Sequence, residues 1–305
     1  MGQYILKRLW RALITLIVIS MLIFVIARVT GDPIAYLASE DASEQELAQV
    51  RAQLGLDRPI YVQYALYVGD ALRGDFGNSL RYNRPAFEMV LQRLPATIQL
   101  SLIAFIVSTV LGIMMGVLAA LRRDTWIDGA LRLLAVLGQS APNFWIGILA
   151  IMIFGVHLQW LPTSGRVGPE YLILPALTLA LFSMASVMRL TRSAMLETQT
   201  QEYVKFLRAK GVRESQIIFK HMLRNALVPV LAVLGIQLSH LVGGTVIIEI
   251  VFNWPGVGRL MVEALLNSDL PLIQAGVMLI AISVVLVNLL VDLSYGLVDP
   301  RIRIE

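Results

Sequence analysis

Six transmembrane helices in an all-α integral membrane protein are what the sequence predicts, and three observations carry the prediction. Of 305 residues, 57% are hydrophobic and 15% charged, against roughly 45–50% and about 25% in a soluble globular domain. The mean hydropathy of +0.72 leaves too little polar surface to solvate a water-soluble fold of this size. Six stretches lack Asp, Glu, Lys and Arg altogether: Ala12–Ala27, Ala96–Leu121, Leu133–Val156, Tyr171–Met188, Ala226–Ile248 and Leu270–Val291. Together these exclude a disordered chain, a coiled coil and an ordinary cytosolic enzyme. The absence of cysteine excludes disulfides and thiolate chemistry.

The six stretches are 16, 26, 24, 18, 23 and 22 residues long, and roughly 20 helical residues cross a hydrocarbon core of about 30 Å. They must be helices, because an unpaired backbone amide in lipid costs several kcal/mol. Barrel strands would instead show short alternating segments. The first stretch is short, but Arg11 and Arg28 can snorkel to the two interfaces. The predicted helices cover about 9–29, 96–121, 133–156, 171–188, 226–248 and 270–291, in a single transmembrane domain over 1–305. Met1–Ala27 has the basic start and apolar run of a signal peptide. Its length, and the poor match of Arg28-Val29-Thr30-Gly31-Asp32 to a small-residue cleavage pattern, read as a retained anchor.

Charge sets the orientation. With the N-terminus inside, segments 1–11, 122–132, 189–225 and 292–305 hold 16 Lys and Arg in 73 residues. The outer segments 28–95, 157–170 and 249–269 hold 9 in 103, and 2 in 35 once the long first loop is left out. Basic residues concentrate on the cytoplasmic side of membrane proteins, so both termini are placed inside. Topology therefore explains the pI near 9.5, and no nucleic-acid partner is implied.

Two loops are too large to be connectors. The outer loop 28–95 opens with the turn signal Gly31-Asp32-Pro33. A polar helix is expected from Ser43 to Leu54, with Ser43 and Glu46 as a capping box and Gly55 as its stop. Tyr61, Tyr64, Tyr67, Phe76 and Tyr82 supply aromatics for a small ordered cap. That cap is either a packed lid on the bundle or also a contact for a delivery partner or solute.

The inner loop 189–225 carries eight basic and three acidic residues. Residues 198–210 suit a helix, Gly211 suits its left-handed stop, and a second helix from about Arg213 runs through Ile217, Ile218 and His221 into the next span. Tyr203, Phe206 and Leu207 fall at i, i+3 and i+4 on one face. That face needs a covering. It either lies on lipid headgroups or docks into another protein.

The motifs for chemistry are absent. There is no G-x-x-x-x-G-K-[ST] phosphate loop, no H-E-x-x-H and no G-x-S-x-G. His157, His221 and His240 are too far apart for a metal spacing, so no metal site is expected. His221 reads as a cytoplasmic interface residue. His240 lies within a span, as a functional group or as a neutral histidine bonded to a neighbouring helix. Pro142, Pro175 and Pro229 interrupt the amide ladder and permit kinks. Gly112 and Gly116 form a G-x-x-x-G suited to close helix packing.

Several segments resemble one known family. Glu202-Tyr203-Val204, Arg208-Ala209-Lys210-Gly211, Lys220-His221-Met222-Leu223-Arg224-Asn225-Ala226 and Pro229 resemble the cytoplasmic loop of permease subunits of bacterial ABC importers. The similarity is strongest to the dipeptide/oligopeptide/nickel branch. Gly31-Asp32-Pro33, Leu54-Gly55-Leu56-Asp57-Arg58-Pro59, Gly74-Asp75-Phe76-Gly77 and Glu249-x-x-Phe252-Asn253-Trp254-Pro255-Gly256-x-Gly258 resemble the same branch. The combination covers essentially the whole chain.

The resemblance implies a type I importer fold in a bacterial inner membrane, with 28–95 periplasmic and 189–225 as a coupling loop. It implies that Glu202, Tyr203, Phe206, Arg208, Ala209, Lys210, Gly211 and His221 form the contact with a cytoplasmic ATPase. Lys205-Phe206-Leu207 stands where the family commonly has Glu-Ala-Ala. The implied assembly has a second similar permease, two ATPase subunits that bind the ATP, a periplasmic solute-binding protein and surrounding lipid. This chain would hold no cofactor and hydrolyse nothing itself. Peptides are the expected solute, with glutathione, nickel and other small solutes open. The rival is a secondary transporter or channel acting alone, which would be expected to place ionisable groups in its spans.

Overall fold

The computed structural model describes residues 2–30 and 57–298. The Gly31-Asp32-Pro33 turn and the polar helix expected from Ser43 to Leu54 lie outside the described residues, as does the side chain of His240. In chain order the helices are α1 (Gly2–Thr30), α2 (Ile60–Leu72), α3 (Ala86–Leu121), α4 (Trp126–Ser140), α5 (Asn143–Ala150), α6 (Ile173–Gln199), α7 (Glu202–Ala209), α8 (Leu223–Val251), α9 (Val257–Leu266) and α10 (Leu270–Val298). A π-helical segment, Ile151–His157, extends α5. A helical turn, Glu214–Gln216, and a second π segment, Ile217–Met222, lead into α8. Strand-like pairing among the described residues is limited to one bridge, Asn78 with Pro85.

Among the described residues, five segments are long and apolar enough to cross a membrane: Leu6–Arg28, Ala86–Leu121, Pro169–Gln199, Glu214–Leu238 and Leu270–Val291. A sixth is reached through a broken pair, Trp126–Ser140 and Asn143–His157, bent by 109°. This corrects the extent of the span read over Leu133–Val156, where the kink that Pro142 permits is a full break between two helices. Pro142 has no N–H to give to the carbonyl of Gly138. It also drives Ala141 into the extended region, at φ −87° and ψ 137°.

A second correction concerns charge. The spans read as free of ionisable groups, but the helices run past those stretches and carry carboxylates inward. Asp128 sits in the first turn of α4 and Glu249 in the last turn of α8, both fully buried. Each is satisfied within the protein. Glu249 accepts a hydrogen bond from the Thr97 hydroxyl at 2.6 Å. Asp128 is held by Arg192, through Nε to Oδ1 and Nη2 to Oδ2, both at 2.7 Å. Hydropathy misses such groups because burial with a partner, not absence, makes them tolerable in a membrane.

The chain divides into two compact units, one mainly of Met1–Pro95 and Gly256–Leu289, the other mainly of Ala96–Pro255. In the second, Leu100 and Ala104 of α3, Leu174, Leu179 and Ala180 of α6, and Ile248 at the end of α8 share one core with Phe252 and Trp254. The G-x-x-x-G does bring helices together. A Cβ on Gly112 would lie 2.7 Å from Val187 Cβ, and one on Gly116 would lie 2.7 Å from the Met188 carbonyl oxygen, both on α6. α8 stops in a Schellman turn, with Trp254 N–H to the Glu249 carbonyl at 2.8 Å and Asn253 N–H to that of Ile250 at 3.2 Å. Asn253 takes the left-handed position, at φ +51°. This turn drives Trp254 inward, where its indole N–H donates to the Ala96 carbonyl at 3.0 Å and Arg166 lies 5.6 Å over its ring. Trp254→Phe removes the hydrogen bond and leaves part of the ring volume empty. The expected loss is about 1–3 kcal/mol, read as a lower melting midpoint in detergent.

In the other unit, Val90 of α3, Leu260 and Ala264 of α9, and Leu272 and Ala275 of α10 form the core. Phe24, Tyr64, Tyr67, Phe76 and Phe87 run as a chain of ring contacts at 5.5–6.4 Å. Three of the five aromatics expected to order this cap thus pack into one row, while Tyr61 and Tyr82 stay exposed. Asp269, buried ahead of α10, accepts hydrogen bonds from the Ser79 hydroxyl and the N–H groups of Leu80 and Arg81. A single carboxylate therefore fixes a turn 190 residues away in sequence.

Candidate coupling site

α7 has eight residues, too few to hold a helix in water unaided. Its ends suit the helix dipole, with Glu202 in the first turn and Arg208 in the last. Packing supplies the remainder. Val204 is fully buried in a core with Met195, Ile217, Met222 and Ala226, and Tyr203, Leu207 and Val212 pack against its edge.

This changes the register expected from sequence. The inward face is Tyr203, Val204 and Leu207. Phe206 is 57% exposed, with Lys210 Nζ 4.5 Å over its ring. Phe206 is rotated away from the face that helical spacing assigns it with Tyr203 and Leu207, because Val204 takes the buried place. At 100° per residue, Tyr203, Leu207 and Val204 span one side, and Glu202, Lys205 and Ala209 lie opposite. Glu202, Lys205, Ala209 and Lys210 are all exposed. The Lys205-Phe206-Leu207 departure fits this arrangement: lysine outward, phenylalanine at the rim, leucine inward.

The stop after α7 is a Schellman turn in full. Gly211 N–H bonds the Arg208 carbonyl at 3.0 Å, and Val212 N–H bonds that of Leu207 at 3.2 Å. Leu207 and Val212 on either side of the turn both pack against the Val204 core. Gly211 stands at φ +74°, and a Cβ there would meet nothing within 4 Å. Glycine is required by the backbone angle, not by space.

Side chains tie α7 to the segment between Gly211 and α8. Arg208 grips Glu214 across the turn, with Nη2 to Oε1 at 2.7 Å and Nε to Oε2 at 3.3 Å. That hydrogen bond raises the pKa of the Arg208 guanidinium above its ordinary value. The Tyr203 hydroxyl accepts from Asn225 Nδ2 at 2.8 Å and donates to the His221 carbonyl at 3.4 Å. His221 therefore joins through its main chain. Of the residues singled out in sequence, Tyr203, Arg208, Gly211 and His221 shape the knob, and Glu202, Phe206, Ala209 and Lys210 form its outer surface. The structure adds Val204, Glu214 and Asn225, which sequence reasoning does not single out. Val204 alone carries a readable signal, as an apolar residue between Tyr203 and Leu207.

The site offers shape and charge rather than reactive groups. Among the described residues no cluster of three or more His, Cys, Asp or Glu is placed to hold a metal.

The short α7, capped at its C-terminus, thus lies between the long apolar helices α6 and α8 of a multi-span membrane protein. The pattern of the family described as "Binding-protein-dependent transport system inner membrane component" matches residues 112–304, and that of its N-terminal region matches residues 1–101. The chain belongs to this family. A putative peptide transport system permease protein of Brucella abortus is 41% identical, with the whole of both chains covered. The glutathione transport system permease protein GsiC of Salmonella typhimurium is 42% identical over 99% of each chain. Among solved structures, the inward-facing MetNI methionine ABC transporter shares the fold with a TM-score of 0.57 at 20% identity, covering 69% of this chain and 96% of its own. An amino acid ABC transporter matches at 0.51 and 15%, covering 70% and 94%.

Proposed function

We propose that this chain is one of two permease subunits of an ATP-driven importer and forms half of the pathway for small peptides handed over by a periplasmic binding protein. ATP is bound and hydrolysed on two cytoplasmic partner subunits. The observation that carries this reading is the α7–Gly211–Glu214 knob: a rigid lever with an outward face of Glu202, Lys205, Phe206, Ala209 and Lys210, in a chain with no phosphate-loop motif. A pump needs an inward-open and an outward-open state and a differential interaction that shifts between them. A partner that grips the knob and changes shape with ATP supplies that difference. The peptide and glutathione names of the relatives support a peptide-like solute.

The test is uptake of labelled di- and tripeptides into cells carrying this system as their sole peptide importer. Uptake is expected to stop when ATP is depleted with the ion gradient held, and an ATPase is expected to co-purify in mild detergent. Uptake that persists without ATP and collapses with the gradient would identify a secondary transporter. Accumulation by the purified chain alone in vesicles would do the same.

A further inference from the structure

We infer that the buried Asp128–Arg192 pair is the joint by which movement of the coupling loop reaches the broken helix α4–α5; this rests on the importer reading above. Arg192 lies on α6, about two turns before that helix ends and roughly three turns before α7 begins. It is 19% exposed, and Asp128 not at all. Both guanidinium-to-carboxylate bonds are 2.7 Å and paired nitrogen to oxygen, which sets the angle between two helices as well as their separation. The Asp124 N–H at 3.2 Å and Arg132 Nε at 3.5 Å complete the ring around the carboxylate.

Beyond the fork, the α4–α6 contact holds one polar tie, Gln139 Nε2 donating to the Ser186 hydroxyl at 2.6 Å, among small side chains. Ala135 packs near Ala185 and Met188, and a Cβ on Gly138 would meet the Leu181 carbonyl oxygen at an ordinary 3.5 Å. The α3–α6 contact is different, since Gly112 and Gly116 are locked against α6 with no room for a methyl group. When α6 is displaced by the coupling loop, α3 is carried by interdigitation. α4 is tied to α6 at two places, the Asp128–Arg192 fork near its start and the single Gln139–Ser186 hydrogen bond near its end, and of these only the bidentate fork fixes an angle. A buried pair is seldom the most stable filling, as apolar residues of similar volume commonly serve as well or better. What the fork adds is a fixed register, and α4 needs one because it feeds the 109° break into α5. Asp128 and Arg192 are positioning residues, acting through the helices they join rather than on the solute.

The deciding variant replaces both groups with an apolar pair, Asp128→Leu with Arg192→Met, in the reconstituted transporter with its ATPase subunits and binding protein. The expected result is normal assembly, peptide uptake down at least ten-fold, and ATP hydrolysis within two-fold of the parent, so that ATP consumed per peptide rises about five-fold or more. Uptake and hydrolysis that stay normal, or that fall in proportion, would overturn the joint. Should the apolar pair fail to accumulate, Arg192→Lys decides the matter. It keeps the charge and loses the fork, and the same rise in ATP per peptide is expected. The parent is run alongside with ATP depleted: uptake that persists there sinks the importer reading, whereas an ATP-dependent parent beside a fully coupled apolar pair sinks only the joint.

Discussion

Gly211→Pro is expected to abolish ATP-driven peptide uptake while leaving the protein in the membrane at normal abundance. Proline holds φ near −65°, and this position stands at +74°. The ring also removes the N–H that bonds the Arg208 carbonyl and disfavours the helical angles of Lys210 before it, φ −75° and ψ −3°. Avoiding the left-handed region and losing one capping bond amount to several kcal/mol together. That exceeds what a two-turn helix can absorb. The last turn of α7 should unwind and release the Arg208–Glu214 clasp, while Val204 keeps its place in the core. Ala209→Asp should reach the same end by another route. Ala209 is exposed on the outward face, and a new carboxylate there repels the carbonyl end of the helix by about 0.3–1 kcal/mol and alters the surface offered to the ATPase. Normal uptake by either variant, at unchanged membrane abundance, would refute the role given to this knob.

Gly116→Leu is expected to remove the folded protein altogether. A single added Cβ would stand 2.6 Å from Thr191 Cβ and 2.7 Å from the Met188 carbonyl oxygen. The second obstacle is backbone, so no rotamer change relieves it. Overpacking a good core costs about 1–3 kcal/mol where side chains give way, and a leucine facing an immovable main chain belongs at or beyond the top of that range. Gly129, with nothing within 4 Å of its Cβ position, is the matched control. Gly129→Ala in a helix interior should be neutral or gain up to about 1 kcal/mol. Monodispersity and melting midpoint in detergent read both. A Gly116→Leu protein that melts with the parent would show that α3 and α6 are not locked at this point.

The two G-x-x-x-G positions were legible in sequence because close approach of helices demands a missing side chain, and that demand is local. The Gly211 stop was legible for a similar reason, since Lys210-Gly211-Val212 after an amphipathic stretch carries its own conformational signature. The face of α7 was not. Tyr203, Phe206 and Leu207 satisfied helical spacing as well as Tyr203, Val204 and Leu207 do, and only the neighbouring Ile217 and Met222 decide between the sets. The break at Ala141–Pro142 was half legible: proline announced an interruption, but a bend of 109° is set by what α4 and α5 pack against.

By itself the sequence determined the membrane setting, the apolar stretches and the concentration of basic residues in the loop 189–225. Each of these follows from a sum along the chain, such as hydropathy over a window or charge over a loop, and neighbours in space do not enter such sums. Tertiary structure alone decided that Asp128 and Glu249 are interior groups, that Asp128 meets Arg192, and that Val204 rather than Phe206 anchors α7. Those outcomes depend on distant partners, 64 residues away for Asp128 and 152 for Glu249. The free energy of a buried charge or ring depends on what is opposite it, and a linear pattern does not record that.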